Sequence, residues 1–355
     1  MERIGRPGDD FREKLSRSDI ERICERHGLA EPREITPEER GNEKVIYYLD
    51  DHLLLAFCLS DDIRTNVEAL AVLEQIEAMP TPRVIAWLED DPDLRVPYMI
   101  VEKCPGTRLD LLWEESGHAE RLQLLAALGN DMGYYHTTSL SDVKKVAEKL
   151  SLSQRVADGV EVRRQMSEMR VQKITDSLGQ LAARLSRLGL EASSTVKVLE
   201  AHYSQRLSQP VTHFIEPGLV HGEPCAEHFF VERTQDGFRL SGCVDFEEVM
   251  IADSLGEIVA QYVSILALDR EYYDAFKRGY QHFFAFPLDA EERLRLAAID
   301  NDVEAILFLL HSMETRPEWS FATPWVRGHL RRLQGWLGEF KKIDRAMFRK
   351  DIGPW

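Results

Sequence analysis

The sequence lacks the features of membrane, extracellular and nucleic-acid-binding proteins. No apolar run approaches the roughly 20 residues that a bilayer-spanning helix needs, and the charged N-terminus has no apolar segment typical of a signal peptide. Five cysteines among 355 residues form no CxxC pair, which suits a reducing cytoplasm rather than a disulfide framework or a zinc site. A net charge of −17 disfavours binding to phosphate backbones. We therefore expect a cytoplasmic protein that binds neither membranes nor nucleic acid.

The acidic excess allows two interpretations. Apolar residues make up 44% and charged residues 30% of the chain, a composition typical of soluble globular proteins. The negative charge can simply keep the protein soluble, which is the plainer interpretation, or it can attract a cationic substrate. We expect a small-molecule substrate, and the second interpretation predicts that this substrate is cationic.

Strand and helix patterns alternate over residues 1–103. Ser16 or Ser18 can cap an amphipathic helix that Gly28 ends. KVIYYL and HLLLAFCL are β-rich runs around two aspartates and predict a hairpin. TNVEALAVLEQIEAM has helical spacing, and RVIAWLED and VPYMIVEK follow as two further strands. The order predicts a small antiparallel sheet that carries one helix.

The remainder, residues 104–355, is predicted to be mainly helical. It begins at a Cys-Pro-Gly break and includes a helical segment over about 143–210. One hairpin interrupts the helices within about 219–247, where HFFVE and RLSGCVDF flank the turn-like TQDG. Two acidic residues lie near the ends of this hairpin, so we expect the hairpin to carry the catalytic groups.

Several ordered motifs resemble one known family. The stretch LVHGEPCAEHFFVE followed by GCVDFEEVMIADSLGEIV is similar to the HGDxxxxN and DF or DW motifs of the aminoglycoside phosphotransferase and choline kinase-like family. IVEKCPGTRL resembles the hinge of that family. The resemblance covers nearly the whole chain. It implies an α+β, bilobal protein kinase-like fold, with an N-lobe over 1–103 and a helical C-lobe over 104–355.

The resemblance also implies a reaction and the residues that perform it. The family transfers the γ-phosphate of a nucleotide to a hydroxyl, with Mg²⁺ and ATP or GTP as cofactors. Asp245 matches the metal-binding aspartate, and His228 stands at the second metal position, where the family has asparagine. Glu223 replaces the aspartate that serves as base and is one methylene longer. His221 is expected to hydrogen-bond the backbone of this loop.

The nucleotide side of the resemblance points to other residues. Backbone groups of Glu102, Lys103 and Cys104 are expected to bind the base at the hinge. Ala56 falls about where the family carries a basic residue on its third strand, and Glu68 on the following helix would be the former partner of that residue. Lys44 is an alternative cation for the phosphates, although a solvated strand residue is the simpler interpretation.

The resemblance places the acceptor near the helical segment over about 143–210. Asp253 and Glu257 follow the DF motif and are expected to hold amino groups of a substrate. A carboxylate suits this role because it pairs with ammonium groups.

Three departures from the motif keep other interpretations open. Ala56, Glu223 and His228 each weaken the expected chemistry, because lost electrostatic groups cost a few kcal/mol each. The first hypothesis is a divergent phosphotransferase with Glu223 as base and Asp245 on the metal. The second is a pseudokinase-like binding or regulatory protein. The third is a kinase fold recruited to other chemistry, with His228 and Glu223 as acid and base and Cys225 nearby.

Overall fold

The computed structural model describes most of the chain, with gaps. The described residues are 11, 15–38, 44–58, 63–76, 79–137, 159–208, 217–235, 237–254, 257–258, 270–283, 285 and 290–337. Parts of three predicted helical stretches, around residues 143–158, 259–268 and 338–348, lie outside them. The chain divides into two compact units, one formed by Met1–Val156, His221–Met250 and Asp274–Phe284, the other by Ala157–Val220, Ile251–Tyr273 and Ala285–Trp355.

The first unit contains a five-stranded antiparallel sheet. Its strand order is β1-β2-β3-β5-β4. The hairpin between β2 and β3 turns at Asp50, which has a left-handed backbone with φ of 51°, a conformation that aspartate tolerates better than most residues. The strands and adjoining helices are α1 (Arg17–Arg26), β1 (Ile35–Pro37), β2 (Lys44–Leu49), β3 (Leu53–Cys58), α2 (Ile63–Ile76), β4 (Val84–Leu88) and β5 (Tyr98–Glu102).

Helix α1 covers one face of this sheet. It begins at Ser16, whose hydroxyl and backbone form a capping box with Asp19, and it is followed by Gly28 with φ of 67°. Alternate residues of β2 point toward α1 because successive side chains of a strand face opposite sides. The buried residues of this layer are Ile20, Ile23, Cys24, Val45, Tyr47, Leu49, Leu55, Phe57, Tyr98 and Ile100. Lys44 lies on the other face.

The second part of this unit begins at the Pro-Gly break. Gly106 has φ of 87°, and a Cβ there would collide with the backbone of Val231, so glycine lets the chain cross strand β8 closely. Leu240 on β9 donates its N–H to the carboxylate of Asp131 at 3.0 Å. The elements are β6 (Thr107–Arg108), α3 (Leu109–Glu115), α4 (His118–His136), β8 (Phe229–Thr234) and β9 (Gly237–Cys243), with sheet order β6-β8-β9.

The second unit is a helical bundle with a small sheet of β7 and β10. Its core is built from leucine, isoleucine and valine side chains, together with Tyr203. Tyr203 donates its hydroxyl to the carboxylate of Asp300 at 2.6 Å inside this core. The elements are α5 (Gly159–Arg187), α6 (Ser193–Ser208), β7 (Pro217–Val220), β10 (Met250–Asp253), α8 (Ala290–Thr315) and α9 (Thr323–Leu337). Helix α7 (Arg270–Tyr280) has its first four residues in the second unit and the rest in the first.

The predicted fold class is confirmed. A five-stranded antiparallel sheet is followed by a mostly helical remainder, the architecture of a bilobal kinase-like fold. Among the described helices, none combines the length and apolarity that crossing a bilayer requires. The lobe boundary at residues 103 and 104 stays a prediction.

Candidate functional site

Asp245 lies in the turn that follows β9, in a strained backbone conformation. Its φ is 73°, a left-handed value that costs most residues with a side chain about 1 kcal/mol or more. The preceding residue is fixed on both sides: Val244 donates its N–H to the carbonyl of His228 at 3.0 Å, and its own carbonyl accepts from His221 Nε2 at 2.8 Å. The turn therefore holds the carboxylate of Asp245 in a defined direction.

A cation from the sheet meets this carboxylate. The Lys44 ammonium group donates to Asp245 Oδ1 and, at 2.8 Å, to Glu247 Oε1. All three side chains are largely buried. Burial alone would lower the pKa of Lys44, but the charges of Asp245 and Glu247 outweigh it and raise the pKa. Lys44 is therefore cationic.

The two carboxyl groups of this cluster respond in opposite ways. Burial opposes ionisation of Asp245, yet the positive charge of Lys44 prevails and lowers its pKa. Burial, followed by the negative charge of Asp245, raises the pKa of Glu247 well above its usual range. The cluster holds one firmly ionised carboxylate beside one that readily takes a proton.

Lys44 lies on the same face of the sheet as Ala56. Lys44 pairs with Cys58, and the neighbouring Ile46 pairs with Ala56, so directly opposed residues share a face. Ala56 and Cys58 are buried and carry no charge. The lysine or arginine seen at this site within the described residues thus comes from the strand next to β3 and is Lys44, the alternative cation that the sequence offered.

The loop His221–Glu223 is fixed by its backbone. His221 is fully buried and accepts the N–H of Glu223 on Nδ1 at 3.3 Å, so its two ring nitrogens tie both Glu223 and Val244 to one imidazole. Gly222 has φ of 93°, and a Cβ there would collide with the carbonyl of Glu248. Glu223 itself is exposed. The predicted backbone-bonding role of His221 agrees with these contacts.

His228 ends a short 3-10 turn (Ala226–His228) and joins the loop to Asp245. Its Nδ1 donates to the carbonyl of Glu223 at 2.8 Å, while its Nε2 lies 3.3 Å from Asp245 Oδ2. The ring stacks on His221 with an interplanar angle of 19°. His228 therefore joins the side chain of Asp245 to the backbone of Glu223.

Two residues of the site were not predicted from the sequence. Asn66 on α2 is 1% exposed, and its Oδ1 accepts the N–H of Phe246 at 3.4 Å. Glu247 shares Lys44 with Asp245. The sequence carried one signal for each residue. For Asn66 it was an asparagine within an apolar helix, two residues before Glu68, and for Glu247 it was an acid directly after the DF motif. The predicted role of Glu68, which is half-buried on α2, stays a prediction.

The hinge follows strand β5. The backbone N–H of Glu102 donates to Arg83 at 2.9 Å and that of Lys103 to His52 at 2.8 Å. Their side chains contact Arg83 and the ring of Tyr48, respectively. These contacts indicate that the main chain near Cys104 is the part of the hinge that can bind a base. The Cys104 thiol is buried, which raises its pKa to about 12.

The predicted substrate residues belong to the second unit. Asp253 is the last residue of β10, and Glu257 is 6% exposed. Their predicted contact with an acceptor stays a prediction.

The donor atoms around Asp245 suit a metal ion that is shared with another ligand. Glu247 Oε2 is buried and makes no hydrogen bond within the described residues, which is the state of a carboxylate oxygen whose partner is an ion or water. Asp245 Oδ2 and His228 Nε2 lie beside each other. A group of three or more His, Cys, Asp or Glu ligands is not found in the described part of the chain, so an ion here would need phosphate oxygens as well. These donors fit a divalent ion shared with a nucleotide.

Cys225 offers no nucleophile to this site. Burial, and then the charges of Glu223, Glu227 and Asp245, raise the pKa of its thiol to about 12. A thiol with so high a pKa is not ionised near neutral pH, and the thiolate is the reactive form. The geometry gives no support to chemistry through this cysteine.

With this geometry established, the comparisons assign the chain to a family. A profile of the phosphotransferase enzyme family, APH, matches residues 34–297. The chain belongs to this family, and the resemblance predicted from the motifs is confirmed. A comparison with curated protein sequences finds no match.

Solved structures show the same fold at low identity. The GDP complex of wild-type aminoglycoside 2'-phosphotransferase-IIIa superposes with a TM-score of 0.63 at 14% identity, over 89% of this chain and 96% of that one. The streptomycin-ATP-APH(2")-IIa ternary complex gives 0.57 at 14% identity, over 94% and 98%. A thermostable mutant of APH(4)-Ia with AMP-PNP and hygromycin B gives 0.57 at 14% identity, over 91% and 100%. These values establish the fold alone.

Proposed function

We propose that the chain is a divergent small-molecule phosphotransferase that moves the γ-phosphate of ATP or GTP to a hydroxyl. The observation that carries the proposal is the pairing of Lys44 with Asp245, because phosphoryl transfer requires a cation for the phosphates and an ionised carboxylate for the metal ion. The solved relatives that hold GDP, ATP or AMP-PNP support a nucleotide as donor.

Each residue has a distinct task in this reaction. Lys44 binds phosphate oxygens in place of the missing basic residue on β3. Asp245 and His228 hold the metal ion, with Glu247 beside them. A divalent ion, when bound, neutralises charge on the phosphates. The main chain of the hinge near Cys104 binds the base, because the N–H groups of Glu102 and Lys103 already bond the carbonyls of Arg83 and His52.

Glu223 accepts the proton of the acceptor hydroxyl. Its backbone is fixed by His221 and His228, and the residue is exposed. A fixed backbone with a longer side chain moves the base about one methylene outward, so the acceptor sits farther from the loop than with aspartate. Asp253 and Glu257 are proposed to hold amino groups of that acceptor. A cationic substrate also agrees with the net charge of −17.

The test begins with calorimetric titration of ATP and GTP, each with and without Mg²⁺. Metal-dependent binding is expected, followed by nucleotide consumption with hydroxyl-bearing amino compounds. In turnover, Glu223→Gln is expected to lower kcat about a hundredfold or more. Glu223→Asp restores the base and should retain much of the activity. Glu227→Gln serves as the matched control, because Glu227 is a half-exposed acid of the same loop that faces Arg108. Equal turnover by Glu223→Gln and the wild type would exclude Glu223 as the base.

A second function is favoured by one observation: the Lys44 ammonium group already pairs with both Asp245 and Glu247 within the protein. A cluster that is charge-compensated in this way can persist in a binding or regulatory protein without phosphoryl transfer. That alternative predicts nucleotide binding that is indifferent to Mg²⁺ and no nucleotide consumption with any hydroxyl compound. The same titrations decide between the two functions.

A further inference from the structure

The imidazole of His228 has a defined proton position. A backbone carbonyl can only accept, so Nδ1 carries the hydrogen that bonds the Glu223 oxygen at 2.8 Å. The other nitrogen, Nε2, faces Asp245 Oδ2 at 3.3 Å. Stacking on His221 fixes the plane of the ring, and only 12% of the His228 side chain is exposed.

This arrangement is the usual one for a histidine that binds a metal ion. Ligating histidines donate one ring N–H to a carboxylate or backbone carbonyl and coordinate through the other nitrogen. Two neighbouring ligands of one ion, each at about 2.0–2.2 Å, are separated by about 3.0–3.5 Å. The Nε2–Oδ2 separation of 3.3 Å falls within that interval.

Lys44 leaves this side of Asp245 accessible. Its ammonium group contacts Oδ1, whereas Oδ2 is the oxygen next to the imidazole. One carboxylate can therefore serve the lysine and an ion at the same time.

We infer that His228 Nε2 and Asp245 Oδ2 select Mn²⁺ over Mg²⁺ as the ion of the nucleotide complex. Mg²⁺ prefers oxygen ligands in regular octahedral geometry, while imidazole suits transition ions and carboxylate and phosphate oxygens still suit Mn²⁺. Of the two ions, a site with one imidazole nitrogen among oxygen donors therefore suits Mn²⁺ better than Mg²⁺. The inference rests on the proposed nucleotide binding and concerns which ion that binding uses.

The first measurement compares affinities. ATP and GTP are titrated into the full-length protein with Mn²⁺ or Mg²⁺, and into His228→Asn under the same conditions. The wild type is expected to bind the Mn²⁺ complex about tenfold or more tightly than the Mg²⁺ complex. In His228→Asn, which offers an oxygen instead, the preference is expected to disappear. A thermal melt verifies that the variant is folded.

The second measurement needs no variant. Protein labelled with ¹⁵N-histidine is loaded with Mn²⁺ and nucleotide, and pulsed electron paramagnetic resonance detects nitrogen bound to manganese. The label separates histidine nitrogen from the nitrogens of the base. A ¹⁵N coupling together with the Mn²⁺ preference supports the inference. Lack of either one, with metal-dependent nucleotide binding intact, overturns it and leaves the proposed function standing. Lack of metal-dependent binding with every ion overturns both.

Discussion

Lys44 and Asp245 form an ion pair although 201 positions separate them in the sequence. Lys44 begins β2, and Asp245 follows β9, so the pair ties the sheet to the loop that carries the DF motif. Because Ala56 and Cys58 on β3 supply no charge, Lys44 is the cation on which the proposed phosphate binding depends.

Replacing Lys44 by alanine is expected to weaken nucleotide binding about ten- to a hundredfold, the range for loss of a charged hydrogen bond. It also leaves two buried acids without their cation, which should lower stability. The double variant Lys44→Ala/Glu247→Gln separates the two effects, because it removes one of those acids. We expect it to regain stability but not affinity. Unchanged nucleotide affinity in Lys44→Ala, measured by calorimetry, would show that Lys44 is only a structural partner of Asp245.

The hinge side chains are expected to be dispensable for nucleotide binding. Glu102 contacts Arg83, and Lys103 lies 5.3 Å from the ring centre of Tyr48, so both point to neighbours within the sheet. Glu102→Ala and Lys103→Ala should each change the Kd for nucleotide by less than about twofold, because main-chain groups do the binding and exposed pairs contribute little. A tenfold loss in either variant would contradict backbone recognition. Lys103→Ala is also the lysine control for Lys44→Ala.

Asn66 is expected to hold the Asp245 turn against α2. Replacing it by alanine leaves the N–H of Phe246 without its acceptor, at a cost of about 1–2 kcal/mol in the free energy of unfolding. We expect weaker metal-dependent nucleotide binding as well, since the turn loses its link to the helix. Asn66→Asp keeps the acceptor oxygen and should bind nucleotide better than Asn66→Ala. Equal affinity and stability in both variants and the wild type would exclude a positioning role.

Asp302 on α8 forms a buried network in the second unit. It is fully buried and accepts from His329 Nδ1 at 2.8 Å, from Arg332 Nη2 at 2.8 Å and from Trp336 Nε1 at 3.0 Å. Asp302→Ala leaves a buried cation unpaired and is expected to cost about 3–5 kcal/mol of stability. Glu314→Ala on the same helix is the control: the Glu314 side chain is 45% exposed and pairs with Arg184 and Arg187 near the surface, so its loss should cost about 1 kcal/mol or less. Similar denaturation midpoints for both variants would contradict this ranking.

Asp91 makes stability depend on pH. Its buried carboxylate accepts the N–H groups of Leu94 and Asp93 at 2.8 Å and pairs with Arg26. Burial by itself would raise the pKa, but these partners outweigh it and lower the pKa below its ordinary 3.8. A lowered folded pKa means that the stabilisation is complete above about 3.8 and is lost as pH falls through the folded value.

Asp91→Asn should therefore destabilise the protein at pH 7 by about 2 kcal/mol, the scale of hydrogen bonds to a charged group. The difference from the wild type should shrink below pH 3.8. Denaturant unfolding across this range measures it. Asp90→Asn is the control, since Asp90 is exposed and lies 3.5 Å from an equally exposed Arg95. A difference that stays constant with pH would rule out the carboxylate of Asp91 as its source.

Local patterns predicted the elements better than they predicted the site. The strands KVIYYL and HLLLAFCL and the capped first helix could be read from periodicity and turn residues, and the structure agrees. Strand β1 was missed because its three residues include Pro37 and it gains its stability by pairing with β2. Strands β6, β7 and β10 are also short. They were missed because they too form only by pairing with other strands.

The site depends on contacts that no local pattern contains. Motif spacing brought Glu223, His228 and Asp245 into view, because their loop is continuous. Asn66 and Glu247 were not predicted, and a solvated strand residue was the simpler interpretation of Lys44, which the structure instead buries beside Asp245. Their roles arise only when β2, α2 and the turn after β9 pack together, and the charges of that cluster depend on burial that a linear sequence does not record.

The left-handed backbone at Asp245 and the proposed metal binding favour different residues at this position. Local folding at a φ of 73° is easiest for glycine, whereas ion chemistry needs a carboxylate. We expect laboratory evolution for heat resistance alone to drift away from aspartate at this position, and evolution under selection for turnover to retain it. Comparing the residues found at this position under the two selections would show how much stability the protein loses by keeping the carboxylate.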